Sequence, residues 1–234
     1  MTKRFRNRVQ QLAAAAAFLC VTHAQAAPIN LPIVSDSTWR STSVAPGDWT
    51  AINFDDSAWD HAYAPYPNGV TTPADIVGGP TAAQLMWDWP RPGVPDGQNG
   101  PNEAWFRYTF DLALTPDALP VLAQALVIAD DEFEMFVNGI RYDFGRSTAL
   151  SDNKRANGQP NPLLADFTSL LRNGTNVLAI HAADGSLAVP HDQLYEFVFF
   201  DGRIRTVPEP GSVLLLLSGC VLMTGTLARR RRGR

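Results

Sequence analysis

Three short groups in this sequence carry side chains that could do chemistry. Two are acidic, Asp55-Asp56 and Asp130-Asp131-Glu132; the third is Trp87-Asp88-Trp89, a carboxylate between two indoles. Glycoside hydrolysis uses two carboxyl groups facing one another across a sugar. Neighbouring residues on a strand point to opposite faces, so neither acidic group supplies that geometry alone. One carboxylate from each would have to meet in space. The competing reading is local: Asp55, two residues before Ser57, is placed to cap a turn. Acidic loops also suit calcium, which takes about six to eight oxygen ligands. The sequence has no Asp-x-Asp-x-Asp-Gly loop, so a calcium site would have to be assembled from distant segments. For Trp87, Asp88 and Trp89 the expected chemistry is ligand binding. Indole faces stack on apolar ring faces, and a carboxylate takes hydroxyls, the usual mixture of apolar walls and a few placed polar groups. The alternative is that these rings fold back and plug the core.

The remaining candidates are sparse. His61, His181 and His191 lack metal-ligand spacing, and His181, beside Ile180 in an apolar run, reads as a hydrogen-bonded structural histidine. There is no Gly-x-Ser-x-Gly elbow and no phosphate-binding glycine loop. The only cysteines, Cys20 and Cys220, lie in apolar runs at opposite ends of the chain. The body between them is therefore without a disulfide, a thiolate zinc site or a cysteine nucleophile. These observations assign no catalytic residue and no cofactor, and the chain is read as a non-enzyme.

The elements that must position these groups are short strands. Phe106, Tyr108, Phe110 and Leu112 alternate onto one face of a strand. Ala123–Ala129 is a continuous apolar run, as in an inner strand. Glu132–Val137 alternates, Asn138-Gly139 turns the chain, and Ile140–Tyr142 returns. Val177–Ala183 and Gln193–Phe200 are further strands, with Gly202 expected to turn the last into Arg203–Arg205 and Leu164–Leu171 expected as a short helix or turn. Pro65–Asn102 holds eight prolines and six glycines in 38 residues, so it reads as a long loop with at most one short element at Thr81–Trp87. This spacing predicts an all-β, antiparallel sandwich or barrel.

Charge and hydropathy divide the 234 residues into three parts. Residues 27–210 carry 10 basic and 23 acidic side chains, a net of −13, which disfavours nucleic-acid binding. Residues 1–26 read as a signal peptide: Lys3, Arg4, Arg6 and Arg8, an apolar Leu12–Val21, then Ala24-Gln25-Ala26 with small residues at Ala24 and Ala26 for cleavage. At the other end Pro208-Glu209-Pro210 precedes an apolar run, 213–228, and the basic tail 229–234. Sixteen helical residues span roughly 24 Å, a short transmembrane helix whose arginines stay cytoplasmic.

The order of residues 207–234 resembles the PEP-CTERM sorting signal of Gram-negative bacteria. That resemblance implies an exosortase as processing partner, transient residence in the inner membrane, removal of the anchor, and a mature form at the cell surface or in the extracellular matrix. A second resemblance spans residues 36–200. Phe54-Asp55-Asp56-Ser57-Ala58-Trp59, the strand Ala104–Phe110, the strand and hairpin Ala129–Gly139, and Phe167–Ile180 follow one another as in the galactose-binding-like jelly roll of family 2 glycoside hydrolases and accessory modules. It implies a jelly-roll sandwich over residues 27–206, core-like positions for Trp59 and Trp105, and, as such folds often have, a structural calcium. The Pro/Gly-rich loop at 65–102 departs from the pattern as an insertion, and no sugar-contacting residue is carried over. Three functions follow as expectations: a non-catalytic surface or matrix module binding extracellular polysaccharide, a glycan-active enzyme or its accessory subunit, and a purely structural matrix protein.

Overall fold

A computed structural model describes residues 29–67, 71–88, 103–114, 121–130, 132–145, 151–152, 161–183 and 196–206. Two antiparallel sheets face one another. The first runs, edge to edge, β1 (Asn30–Val34), β11 (Phe197–Thr206), β5 (Val121–Asp130) and β9 (Leu163–Asp166). The second runs β3 (Asp60–His61), β2 (Arg40–Thr42), β4 (Glu103–Leu112), β10 (Gly174–Ala183), β6 (Glu132–Val137) and β7 (Ile140–Arg141), with β8 (Ser151–Asp152) also paired to β6. From β4 to β6, and again from β9 to β11, the chain passes from one sheet to the other at each long strand. This alternation makes a jelly-roll β-sandwich: the antiparallel all-β class follows the strand spacing, and the jelly roll is what the galactose-binding-like resemblance implies.

Side-chain alternation puts the core between the sheets. From β4 come Phe106, Phe110 and Leu112, with Tyr108 half-buried against them; from β10 come Leu178, Ile180 and Ala182; from β6 come Phe133, Met135 and Val137. The first sheet supplies Ala123, Ala125, Val127 and Ala129 from β5 and Val198, Phe200 and Ile204 from β11. Trp39 is fully buried; its indole donates to the Val34 carbonyl at 2.8 Å and its ring stacks on Tyr108 at 5.4 Å.

Turn chemistry sets the register. Asn138 and Gly139 both have positive φ, 54° and 82°, as the tightest hairpin turns require, and so carry β6 into β7. Asn176, fully buried, donates through Nδ2 to the Arg172 and Gly174 carbonyls. Its Oδ1 accepts from Asn138 Nδ2 and the Arg172 amide, tying that hairpin to the start of β10.

Three expectations are corrected. Gly202 does not turn the chain: β11 runs straight through it, paired to Ile33 and Ala125. The glycine is needed for space, because a Cβ there would lie 2.5 Å from Cε1 of Phe200. Leu164–Leu171 is not one helix but the edge strand β9 followed by a 3-10 turn at Thr168–Leu170. The long 65–102 loop holds a five-residue helix, α1 (Pro73–Val77). Thr72 and Asp75 cap one another's backbone amides at its start, and Pro73 occupies the first turn. At the loop's other end Trp87 bridges Tyr63 and Met86 bridges Val198, lengthening the sheet edges. Among the described residues no helix is long and apolar enough to cross a membrane. The expected signal peptide, the Pro208-Glu209-Pro210 motif and the apolar run at 213–228 lie outside them.

Candidate functional site

The outward face of the second sheet carries the most concentrated chemistry. β4 turns Glu103, Trp105 and Arg107 outward between its core residues; β10 turns His181 outward, and β6 turns Glu134 and Phe136 outward. Register brings them together, because His181 lies directly opposite Trp105 on one side and Glu134 on the other. His181 Nδ1 is 3.4 Å from Glu134 Oε1 and Nε2 is 3.1 Å from Glu103 Oε2. Its ring lies flat on Trp105, centroids 4.5 Å apart and planes at 6°, while Trp49 stands edge-on to it at 6.5 Å.

Both imidazole nitrogens face carboxylate oxygens, and only the doubly protonated ring donates to both. In that form it is also a cation against an indole face. Glu134 is held below the ordinary glutamate range, first by the hydrogen bond from His181, then by the positive charge nearby, with Arg141 3.3 Å away; partial burial opposes this. Glu103 differs: its side chain is 53% exposed, so one carboxylate of the pair remains open to solvent. The Glu–His–Glu line does not converge on one point, since the two ring nitrogens point apart. Among the described residues there is no group of three or more His, Cys, Asp or Glu side chains that could hold a metal ion.

A loop over residues 47–59 covers the middle of this face, and Arg107 fastens it. The buried guanidinium donates from Nε to Asp56 at 2.8 Å, and from Nη1 to the carbonyls of Trp49 and Ala51, and lies 5.1 Å from the Phe54 ring centre. Asp56 is thus committed to Arg107. Asp55 accepts from the Ser57 amide at 3.0 Å, and those Ser57 hydrogen bonds hold its carboxyl below the ordinary range. The Asp55-Asp56 group is therefore turn and clamp. Asp130 ends β5 and Glu132 begins β6, while Asp131 lies outside the described residues.

The expected ligand triplet divides. Trp87 is fully buried, packed at 5.9 Å against Phe106, and cannot present its ring to a ligand. Asp88 is 3% exposed and accepts from Ser41 Oγ at 2.7 Å. Both serve packing, because the loop returns its chain to the sheet edge; Trp89 lies outside the described residues. Close by, burial and the neighbouring Glu196 carboxylate push the Tyr66 phenol well above its usual range. His61 Nδ1 lies 2.8 Å from the Ser37 carbonyl; His191 lies outside the described residues. Trp105 is buried, 7% exposed, as its core-like position implies, but on the outward row of β4 beneath His181 rather than between the sheets. Trp59 is not in the core: it is half-buried against Phe54 in the covering loop.

Glu103 and Glu134 were not singled out from sequence, and His181 was read only as structural. The alternation on β4 and β6 points each glutamate away from the core, but nothing in one strand tells which residue of a distant strand it will oppose.

No protein-family model matches the chain, and no curated protein matches it. Solved structures with similar folds include a glycoside hydrolase family 2 member from Bacteroides cellulosilyticus, with a TM-score of 0.39 and 13% identity over 73% of this chain and 20% of that one. A beta-glucuronidase from Bacteroides uniformis gives a TM-score of 0.42 and 14% identity over 74% and 18%. An FMN-binding beta-glucuronidase from Facaelibacterium prausnitzii L2-6 gives 0.37 and 15% over 75% and 23%. The chain thus spans 18% to 23% of the length of these structures.

Proposed function

We propose that this chain is a non-catalytic carbohydrate-binding module, exported and sorted to the cell surface or matrix by its terminal segments. The observation that carries the reading is the half-exposed Glu103 carboxylate, held by His181 beside the half-buried Trp49 on the outward face of the second sheet. An oriented acceptor next to an aromatic ring suits hydroxyls on a ring with an apolar face. The alternative is a glycan-active enzyme, which would need one carboxylic acid kept protonated and a second carboxylate ionised across the sugar. The order Pro208-Glu209-Pro210, apolar run and arginine tail supports an exosortase as processing partner.

The test is a glycan array probed with the full-length protein, followed by Glu103→Gln and Trp49→Ala. Both should lose binding while the melting temperature of Glu103→Gln stays near that of the parent. Accumulation of new reducing ends during incubation would transfer the site to the enzyme reading. Failure to retain any glycan would leave the structural matrix reading.

A further inference from the structure

His181 sits between two carboxylates that differ in freedom. Its ring is pinned: the residue is 8% exposed, Trp105 lies flat against one face and Trp49 stands edge-on. On the Nδ1 side is Glu134 of β6, whose side chain is 15% exposed and also meets Arg141 of β7 at 3.3 Å. On the Nε2 side is Glu103, which opens β4 and has a side chain 53% exposed. Other charges reach this face from its neighbouring elements. β4 adds Arg107, taken by Asp56 and by the Trp49 and Ala51 carbonyls. β6 adds Glu132, two residues before Glu134 in the same outward row, with Asp152 of β8 opposite it in the register. The covering loop adds the exposed Asp48, beside Trp49, and Asp55, turned onto Ser57. β10 carries no charged residue besides His181.

Histidine changes charge between about pH 5 and 8. The charged ring has a proton on each nitrogen and donates to both carboxylates. The neutral ring has one proton and presents a lone pair on its other side. The two neutral tautomers are not equivalent here. With the proton on Nε2, the lone pair faces Glu134 Oε1, in an enclosed carboxylate fixed opposite His181 by the register. Arg141 meets the other oxygen, Oε2, and leaves Oε1 without a donor. With the proton on Nδ1, the lone pair faces Glu103, whose carboxylate turns into water and finds donors there. An enclosed acceptor left without a donor costs more than an exposed one, so the neutral ring keeps its proton on Nδ1 and lets Glu103 go.

We propose that His181 is a proton-driven positioning residue for the ligand face: protonated, it fixes the Glu103 carboxylate beside Trp49; neutral, it releases it. A freed glutamate side chain regains rotamers that a ligand must freeze again, so affinity falls as pH rises through the histidine range. This regulation rests on the carbohydrate reading of the same face. The module retains glycan in mildly acidic surroundings and lets it go in alkaline ones. By reciprocity, bound glycan favours the protonated ring.

The experiment has two arms on the full-length protein. The first is two-bond proton–nitrogen NMR of the histidine rings from about pH 5 to pH 9, spanning the histidine range. The His181 signals are assigned by their ring-current shift against Trp105 and by their absence in His181→Gln. Two protonated nitrogens should give way, as pH rises, to a neutral ring with its proton on Nδ1. A neutral ring protonated on Nε2, or a ring whose charge does not change over that range, overturns the proposal and leaves the carbohydrate reading intact. The second arm is a glycan array read at about pH 5.5 and about pH 8.5. Binding by the parent should fall about tenfold between them, the worth of one oriented charged hydrogen bond. In His181→Gln the ratio between the two readings should shrink towards one, which loss of packing alone would not produce. Equal binding by the parent at both readings overturns the proposal, again without touching the carbohydrate reading. So does a His181→Gln ratio equal to the parent's. No retained glycan at either reading removes the carbohydrate reading and the gated binding with it.

Discussion

At the residue scale, two positions show how little room the sandwich leaves. Gly202 is held glycine by the Phe200 ring, with Ala125 Cβ a further neighbour at 3.1 Å from a built Cβ. Gly202→Ala should destabilise by about 1–3 kcal/mol, as overpacking does. Pairing it with Phe200→Leu should recover part of the loss, which urea midpoints of the two variants would show. Glu134 makes a pH prediction. Its carboxyl lies lower in the folded chain than its ordinary value of 4.5, so it adds stability above that value and loses it as pH falls through the folded value. Glu134→Gln should therefore melt earlier than the parent at neutral pH, and the gap should close on acidification below pH 4.5. A gap that stays constant with pH would show that the His181 contact contributes nothing through charge.

At the element scale, the covering loop and the long loop behave differently from their compositions. Trp87 of the Pro/Gly-rich segment is core, while Trp59, in one of the resemblance's core-like phrases, is cover. Trp87→Ala should lose roughly 3–5 kcal/mol, as large-to-small core changes do. Trp59→Ala should lose clearly less, because its ring is half-buried against Phe54 in the covering loop rather than in the core. Thermal melts of both decide this, and equal losses would mean that the loop over 47–59 is as integral as the core. Arg107→Ala should free that loop from the second sheet. It would leave Asp56 without its ion pair, and limited proteolysis should then cut within 47–59 before cutting elsewhere. The strands themselves were largely legible. Phe106, Tyr108, Phe110 and Leu112 alternate, and Asn138-Gly139 has few conformations open to it. Those are local properties, written in neighbouring residues. Gly202 was misread because glycine signals both a turn and a close approach, and only the Phe200 ring distinguishes them.

At the scale of the whole molecule, processing and packing can be tested together. Replacing Pro208, Glu209 and Pro210 with alanines should trap the protein at the inner membrane, read as a mass that still includes Arg234. Unchanged release of a shortened form would remove the motif's assigned role. Reduction with dithiothreitol should leave the melting temperature unchanged, since the body contains no cysteine. The segregation of charge to the two ends, the strand-and-turn rhythm and the all-β class are properties of the chain read in order, because each depends on residues close together. The candidate site is not of that kind. Glu103, Glu134 and His181 come from three strands, 31 and 47 residues apart in succession, and each alone reads as an ordinary outward side chain. The registers of β4 with β10 and β10 with β6 place both carboxylates at one imidazole. Register depends on hydrogen bonds between distant segments and on how Phe106, Met135 and Ile180 pack in the core, so only the tertiary structure could bring the three together.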